Sequence, residues 1–401
     1  MLARLAVRNL RRNLRRTLAV LLTVATGTGS LFIFHGFNAG IMNQYRDNTI
    51  HARYGYGQIN VRGYRDHVFQ RPWEHWIAGY AALRRELLQV PGVRQVFPRL
   101  SFPALLSRGE VGVSGQGQGV DGPAESRFFD TMNFERGANL TDEPDGIVLG
   151  RGLARGLGVG PGDEVTVSSM TVDGAPAQTR LRVVGVFHTG LREFDDAVFR
   201  IPLAQAQHLL GTDRVETVSL GLASVADWSA VESFVRARHP ELEATPFQIL
   251  DKVYYQHSVD WLAAQFGVIQ LIILAILLLG IFNTVSTAVL ERKQEIGNLR
   301  ANGESVLDVL RLLGAEGLVL GSLGALLGIA VALALNETVL AQGILMPPAP
   351  GITRQFHVRI ELQALMAAKT FAFGCLAAVA GTLAAGLRVS RMPIAEALRG
   401  V

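Results

Sequence analysis

The chain has three lysines, Lys252, Lys293 and Lys369, and none follows a GxxxxG run. Hydrolysis of a nucleoside triphosphate needs a glycine-rich loop whose amides cradle the phosphates and a lysine that reaches the terminal ones. The sequence holds no such loop. Val113-Ser114-Gly115-Gln116-Gly117-Gln118 superficially resembles an ATPase signature, but it lies in a strand-like run with no phosphate loop beside it. Ser114 is no nucleophile elbow, because Gln116 stands where the second glycine is required. Nine histidines are scattered without HExxH or another close metal pair, so no metal site is expected. The glycine-rich turns at 150–162 lack the context of a dinucleotide fingerprint. A single cysteine, Cys375, excludes an intrachain disulfide and reads as a small packing residue within an apolar run. No catalytic constellation and no cofactor are expected in this chain.

The residues best placed to act on a partner form one charged segment, Glu291–Gly303, with the sequence ERKQEIGNLRANG. Ile296 and Leu299 supply a small apolar face, Asn302-Gly303 suits a helix end, and Glu304 and Asp308 suit the positive start of a following helix. On these residues alone, a solvated charged loop and a short partner-contacting helix read equally well.

Composition indicates what holds that segment. Of 401 residues, 49% are hydrophobic and 18% charged, where a soluble protein carries about a quarter charged. The mean hydropathy is positive. Part of the chain therefore belongs in lipid. The basic residues are nearly all arginines, and clusters of them stand beside the apolar runs, which favours a membrane over nucleic acid. A membrane helix needs about 20 mostly apolar residues. Thr17–Ala39, Phe266–Leu290, Leu312–Leu335 and Phe371–Leu387 meet that length. The expected layout has an amphipathic helix at 1–16, helix 1 at 17–39, a domain and stalk at 40–265, and helix 2 at 266–290. The charged helix at 291–304, helix 3 at 305–340, a short loop at 341–361, helix 4 at 362–388 and a tail at 389–401 complete it.

Arginines orient these helices. Arg4, Arg8, Arg11, Arg12, Arg15 and Arg16 precede the first; Arg292, Lys293, Arg300 and Arg311 lie between the second and third; Arg388, Arg391 and Arg399 follow the fourth. The positive-inside rule puts all three groups in the cytoplasm and residues 40–265 outside, against the weaker opposing charge of Arg354 and Arg359. The first apolar run is too long for an ordinary signal peptide, and Phe37–Ile41 offers no small-x-small cleavage site, so it reads as a retained helix. Leu2, Leu5, Ala6, Leu10 and Leu14 give residues 2–16 an apolar face suited to the inner membrane surface. In helix 3, Gly314, Gly317, Gly321, Gly324 and Gly328 recur at spacings of three and four, a stripe on which another helix can approach closely. Phe34, Phe37, Phe266 and Ile269, near the outer ends of helices 1 and 2, suit either an acyl-chain pocket or ordinary lipid contact.

The outer domain reads as mixed α/β. Gln58–Arg62 and Thr217–Leu222 suit strands, Ile77–Val90 and Val225–His239 suit helices, and Pro91-Gly92 and Pro240 mark turns. Between these two strand–helix units, Val111–Val120, Val165–Val167 and Arg180–Val186 suggest an inserted β-rich subdomain with a turn at Gly158–Gly162. Gln248–Gln265 is expected to continue as a helical stalk.

The segment ERKQEIGNLRANG, followed by Leu310–Gly328 with Glu316 and the glycine run, resembles the FtsX-like permease family of ABC transporters, which includes the MacB and LolC/LolE types. The opening RNLRRNLRRT, the closing SRMPIAEALRG, and the weaker IVLGRGLA and LGVGPGDEV agree with it. The fold so implied is four transmembrane helices, N-in and C-in, with the large extracytoplasmic domain between helices 1 and 2. The resemblance also implies two permeases, identical or homologous, and two separate ATPase subunits that bind ATP and Mg. It maps ATPase contact to Glu291, Arg292, Glu295, Ile296, Gly297, Arg300 and Gly303, with Ile296 buried by the partner. The absence of a fused ATPase domain and the size of the outer domain bring the chain nearest to the lipoprotein-releasing type. Extraction of a lipoprotein or lipid from the outer leaflet of the inner membrane is then the expected function, with a periplasmic carrier or adaptor as a further partner. A tripartite efflux permease and a regulator of an extracytoplasmic hydrolase are the alternatives.

Overall fold

The computed structural model describes residues 14–68, 70–129, 132–141, 143–189, 192–251, 257–347 and 356–393. The expected amphipathic start and most of the tail lie outside them. The chain divides into a helical unit, Met1–Asn43, Asp260–Met346 and His357–Val401, and a globular unit, Gln44–Val259 and Pro347–Phe356.

Among the described residues, the helical unit has four helices long and apolar enough to cross a membrane, which we number as spans. The first span is Leu14–Thr49, the second His257–Leu290, the third Val306–Thr338 and the fourth Ala364–Ser390. The first helix runs ten residues past its expected end at Ala39, because Gln44, Arg46, Asp47 and Asn48 end the apolar pattern without breaking a helix. It then widens into a π-helical turn, Ile50–Tyr54, closed by Gly55. The expected stalk 248–265 is not one helix. A single turn, Phe247–Leu250, ends at Asp251, and a new helix starts at His257.

The stripe on the third span meets two neighbours. A methyl group on Gly317 would lie 2.3 Å from Thr382 Oγ1, and one on Gly321 would lie 2.8 Å from Cys375 Cα, both on the fourth span. Gly324 abuts Val24, and a methyl on Gly328 would lie 2.3 Å from the Ala25 carbonyl oxygen, both on the first span. Gly314 has only Leu383 within reach, at 3.4 Å. One helix thus seats two others through bare backbone, the small-residue packing that lipid-embedded helices use. Cys375 packs in this seam, as a small buried residue.

The globular unit contains a ten-stranded sheet in the order β10-β1-β9-β2-β3-β8-β5-β7-β4, with β6 pairing β2 and β7. Its strands are β1 (Gly57–Val61), β2 (Val93–Arg108), β3 (Val111–Val120), β4 (Asn133–Gly137), β5 (Gly146–Gly150), β6 (Glu164–Met170), β7 (Pro176–His188), β8 (Val198–Pro202), β9 (Thr217–Leu222) and β10 (Leu242–Pro246). One core packs β1, β9 and β10 against the helices Tyr80–Leu87 and Trp228–Arg238, through Leu83, Leu87, Val231 and Val235. A second core fills the β-rich part through Phe102, Leu149, Val167, Leu181 and Phe199. The 16-residue β2 belongs to both. Its first half pairs with β9, its second with β3, and Arg99 faces both Thr217 and Val120 across the change. The helix expected from Ile77 begins only at Tyr80, because Ile77 bridges to Val215 and Gly79 turns the chain with φ +63°.

Candidate coupling site

The charged segment forms the helix Lys293–Ala301, bounded by Asn302 and by Gly303 with φ +94°. Ser305 then caps the third span, its hydroxyl accepting from the Asp308 amide at 3.2 Å. The apolar face of this helix points into its own chain. Ile296 is 3% exposed and packs in a cluster with Val309, Leu313, Ala385 and Val389, with Leu299 against its edge. This corrects the expectation that a partner buries Ile296: the chain already does so, and Gly297 is buried beside it. Amphipathicity reveals that a helix has a face to bury, but not which molecule covers it.

Arg292 precedes the helix and carries its main electrostatic tie. Its guanidinium donates through Nε to Glu295 at 2.8 Å and through Nη1 and Nη2 to Glu316 on the third span. The Glu316 side chain is 4% exposed. Burial alone would lower the Arg292 pKa, but the two carboxylates outweigh it and hold the guanidinium above its ordinary value. Arg300, near the far end of the helix, donates through Nη1 to the Ser390 carbonyl, one of the last of the fourth span. That carbonyl has no partner further along the helix, so an arginine there also meets the negative end of the helix dipole.

Glu291, Gln294, Asn298 and Ala301 remain exposed at spacings of three and four, with Asn302, Gly303 and Glu304 continuing the surface. Of the predicted contact residues, Glu291 and Gly303 lie on this open face, Glu295 and Arg300 lie at its half-buried margin, and Arg292, Ile296 and Gly297 face the chain interior. Glu316 is a functional candidate that the site expectation omitted, although a lone carboxylate in an apolar run was a visible signal. In the predicted acyl-lining set, Phe34 and Phe266 meet edge to face with centroids 6.4 Å apart, while Phe37 is half-buried and Ile269 is 43% exposed. Among the described residues, no three His, Cys, Asp or Glu side chains come together to hold a metal ion.

The globular unit has a polar centre of its own. Arg99 donates to Glu125 at 2.6 and 3.1 Å and stacks over Phe129 with its guanidinium carbon 4.2 Å from the ring centroid. Arg200 donates to the same carboxylate at 3.1 Å and to Gln118 at 3.0 Å. Burial pulls the Arg200 guanidinium down to about 10, against the pull of Glu125. These residues come from distant parts of the sequence, and no spacing announces them.

Residues 17–238, more than half of the chain, match the family model of the MacB-like periplasmic core domain. Residues 267–394 match the model of the FtsX-like permease C-terminal region. The chain is 29% identical over 291 residues to the lipoprotein-releasing system transmembrane protein LolE of Haemophilus influenzae, covering 67% of this chain and 66% of that protein. It is 26% identical over 324 residues to LolC of Neisseria meningitidis, covering 77% and 73%. The solved periplasmic region of MacB from Actinobacillus actinomycetemcomitans aligns with a TM-score of 0.37 at 14% identity, covering 49% of this chain and 90% of that one. The chain belongs to the family with a MacB-like periplasmic core domain and an FtsX-like C-terminal region, and it is an ABC transporter permease of the LolC/LolE/MacB type.

Proposed function

We propose that this permease releases a lipoprotein or lipid from the outer leaflet of the inner membrane, driven by a separate ATPase that docks on the exposed face of Lys293–Ala301. The observation that carries the docking is the division of that helix into a face fixed to its own chain and an exposed face, Gln294, Asn298 and Ala301, that Glu291 extends. Two ATPase copies and a second permease, identical or homologous, complete the transporter, and a periplasmic carrier or adaptor takes the cargo. Likeness to LolE and LolC supports the cargo class. The edge-to-face pair Phe34 and Phe266 offers an apolar, rigid wall for an acyl chain.

Purification of the full chain in mild detergent should recover an ATPase subunit together with acylated protein, identified by mass spectrometry. Asn298→Arg should lose the ATPase while the chain stays folded. An unpaired charge in a desolvated contact costs about 2–5 kcal/mol, or roughly 30- to 4,000-fold in affinity at about 1.4 kcal/mol per tenfold. Unchanged recovery would remove the docking face. Recovery of an adaptor and an outer-membrane channel without acylated cargo would replace lipoprotein release with efflux.

The arginine asymmetry further supports both termini inside and the globular unit outside. In spheroplasts, an impermeant thiol reagent should label a cysteine at Ser114 and spare one at Ser305, both exposed positions. The reverse pattern would invert the orientation.

A further inference from the structure

The helix Lys293–Ala301 follows the second span after only Glu291 and Arg292, yet its described ties reach the third and fourth spans. Arg292 pairs with Glu316 on the third, Arg300 donates to Ser390 on the fourth, and Ile296 packs in one cluster with Val309, Leu313 and Val389 as well as with Val289 at the end of the second. The second span has 11% of its apolar window buried, against 33% for the third and 50% for the fourth. Glu316 lies about 15 Å along the third span from Val306, at 1.5 Å per residue. A carboxylate so enclosed is costly unless paired. An apolar side chain of similar size would fill the same space without that cost. What the carboxylate adds is direction, because a forked guanidinium–carboxylate bond holds in a narrow range of geometries. The residue after it, Gly317, lies against the Thr382 side chain and the Ala378 carbonyl, so the anchored point is also where the third and fourth spans are seated together.

We propose that Glu316 is a positioning residue: through Arg292 its carboxylate fastens the helix Lys293–Ala301 to the third and fourth spans, so that a push on the open face of that helix reaches those spans as well as the second. The source of the push rests on the docking reading above, whereas the fastening is a property of this chain alone. Glu295 shares the guanidinium of Arg292 but sits on the same short helix, so it shapes the pair without anchoring it.

The test uses the full chain in detergent with Cys375→Ala and spin labels on cysteines at Asn298 and Leu326, both exposed positions. Pulsed electron paramagnetic resonance should give one narrow distance in the parent. Glu316→Gln and Glu316→Ala should lose it, and Arg292→Glu combined with Glu316→Arg, which preserves the local charge, should restore it. A second label pair, Leu326 and Leu376 on the third and fourth spans, should stay narrow throughout, which a merely structural role for Glu316 would not allow. A narrow Asn298–Leu326 distance in both single variants overturns the proposal, as does failure of the exchanged pair to restore it or equal broadening of the second pair. Failure of the parent to recover any ATPase would remove the docking reading and leave the label result to decide the fastening.

Discussion

The two units of this permease solve close packing in opposite ways. In the helical unit, bare glycine backbone lets a neighbouring helix approach closely, with Gly317 and Gly321 against the fourth span and Gly324 and Gly328 against the first. In the globular unit, large side chains interlock, with Phe97, Phe102, Phe187 and Phe199 almost wholly buried. Each unit also encloses charge, but differently. Glu125 is shared by Arg99 and Arg200 deep inside the globular core, whereas Glu316 holds Arg292, which arrives from outside its helix. Where water drives folding, apolar bulk fills the core and ions there serve geometry. Where lipid is the solvent, burying apolar surface between helices gains little, so contact distance and directional bonds must fix the arrangement.

The sharpest way to break this contrast is Glu125→Ala. It leaves Arg99 and Arg200 facing each other in the core without their common carboxylate, and breaking such a buried set typically costs about 3–5 kcal/mol. Thermal unfolding of the purified chain should show early loss of the globular unit's β signal. Glu125→Gln, which keeps one acceptor, should lose less. Wild-type melting in Glu125→Ala would mean that the remaining partners of Arg99 and Arg200 suffice to hold the two guanidinium groups.

A smaller effect is expected in the seam of the third span. Gly328→Ala forces a methyl toward the Ala25 carbonyl and the Thr28 hydroxyl, each 2.3 Å away, and should cost about 1–3 kcal/mol as overpacking. Gly314→Ala meets Leu383 at an ordinary 3.4 Å and should be neutral or slightly stabilising, since alanine favours a helix by about 1 kcal/mol over glycine. Resistance to unfolding in detergent distinguishes the two. Equal melting would reduce the stripe to composition.

The same seam marks how far the sequence could be read. Apolar length located all four spans, because lipid thickness sets one requirement that any spanning helix must meet. It misplaced the end of the first, since hydropathy reports contact with lipid while helix continues through Gln44 to Thr49. Glycine spacing exposed the stripe but not that it divides between two neighbours, because spacing fixes a face and not its occupants. Ile296 shows the same limit on the coupling helix. The Arg99–Glu125–Arg200 set stayed invisible, as three strands' worth of register must form before those side chains meet. Glu316 was legible as an exception to its surroundings, and only the fold identifies Arg292 as its partner.

The mildest test concerns pH and uses another carboxylate of the globular unit, Glu216. Glu216 accepts from the Tyr64 hydroxyl and, at 2.7 Å, from the Ser101 amide. Burial raises its pKa above the usual carboxylate value, against the lowering pull of those hydrogen bonds and of Arg99. The folded state therefore binds this proton more tightly than the unfolded chain does. Its contribution to stability is fully present below the unfolded value of about 4.3 and is lost as pH rises through the higher folded value. For one proton the slope cannot exceed about 1.4 kcal/mol per pH unit. Glu216→Gln removes the titration but keeps one acceptor. The difference in unfolding free energy between parent and variant should shrink as pH rises above about 4.3 and then level off. Taking that difference cancels the titration of every other carboxylate, including those of the helical unit. A pH-independent difference would mean that the two donors hold Glu216 ionised in spite of its burial, and a difference that grows with pH would reverse the sign of its coupling to the fold.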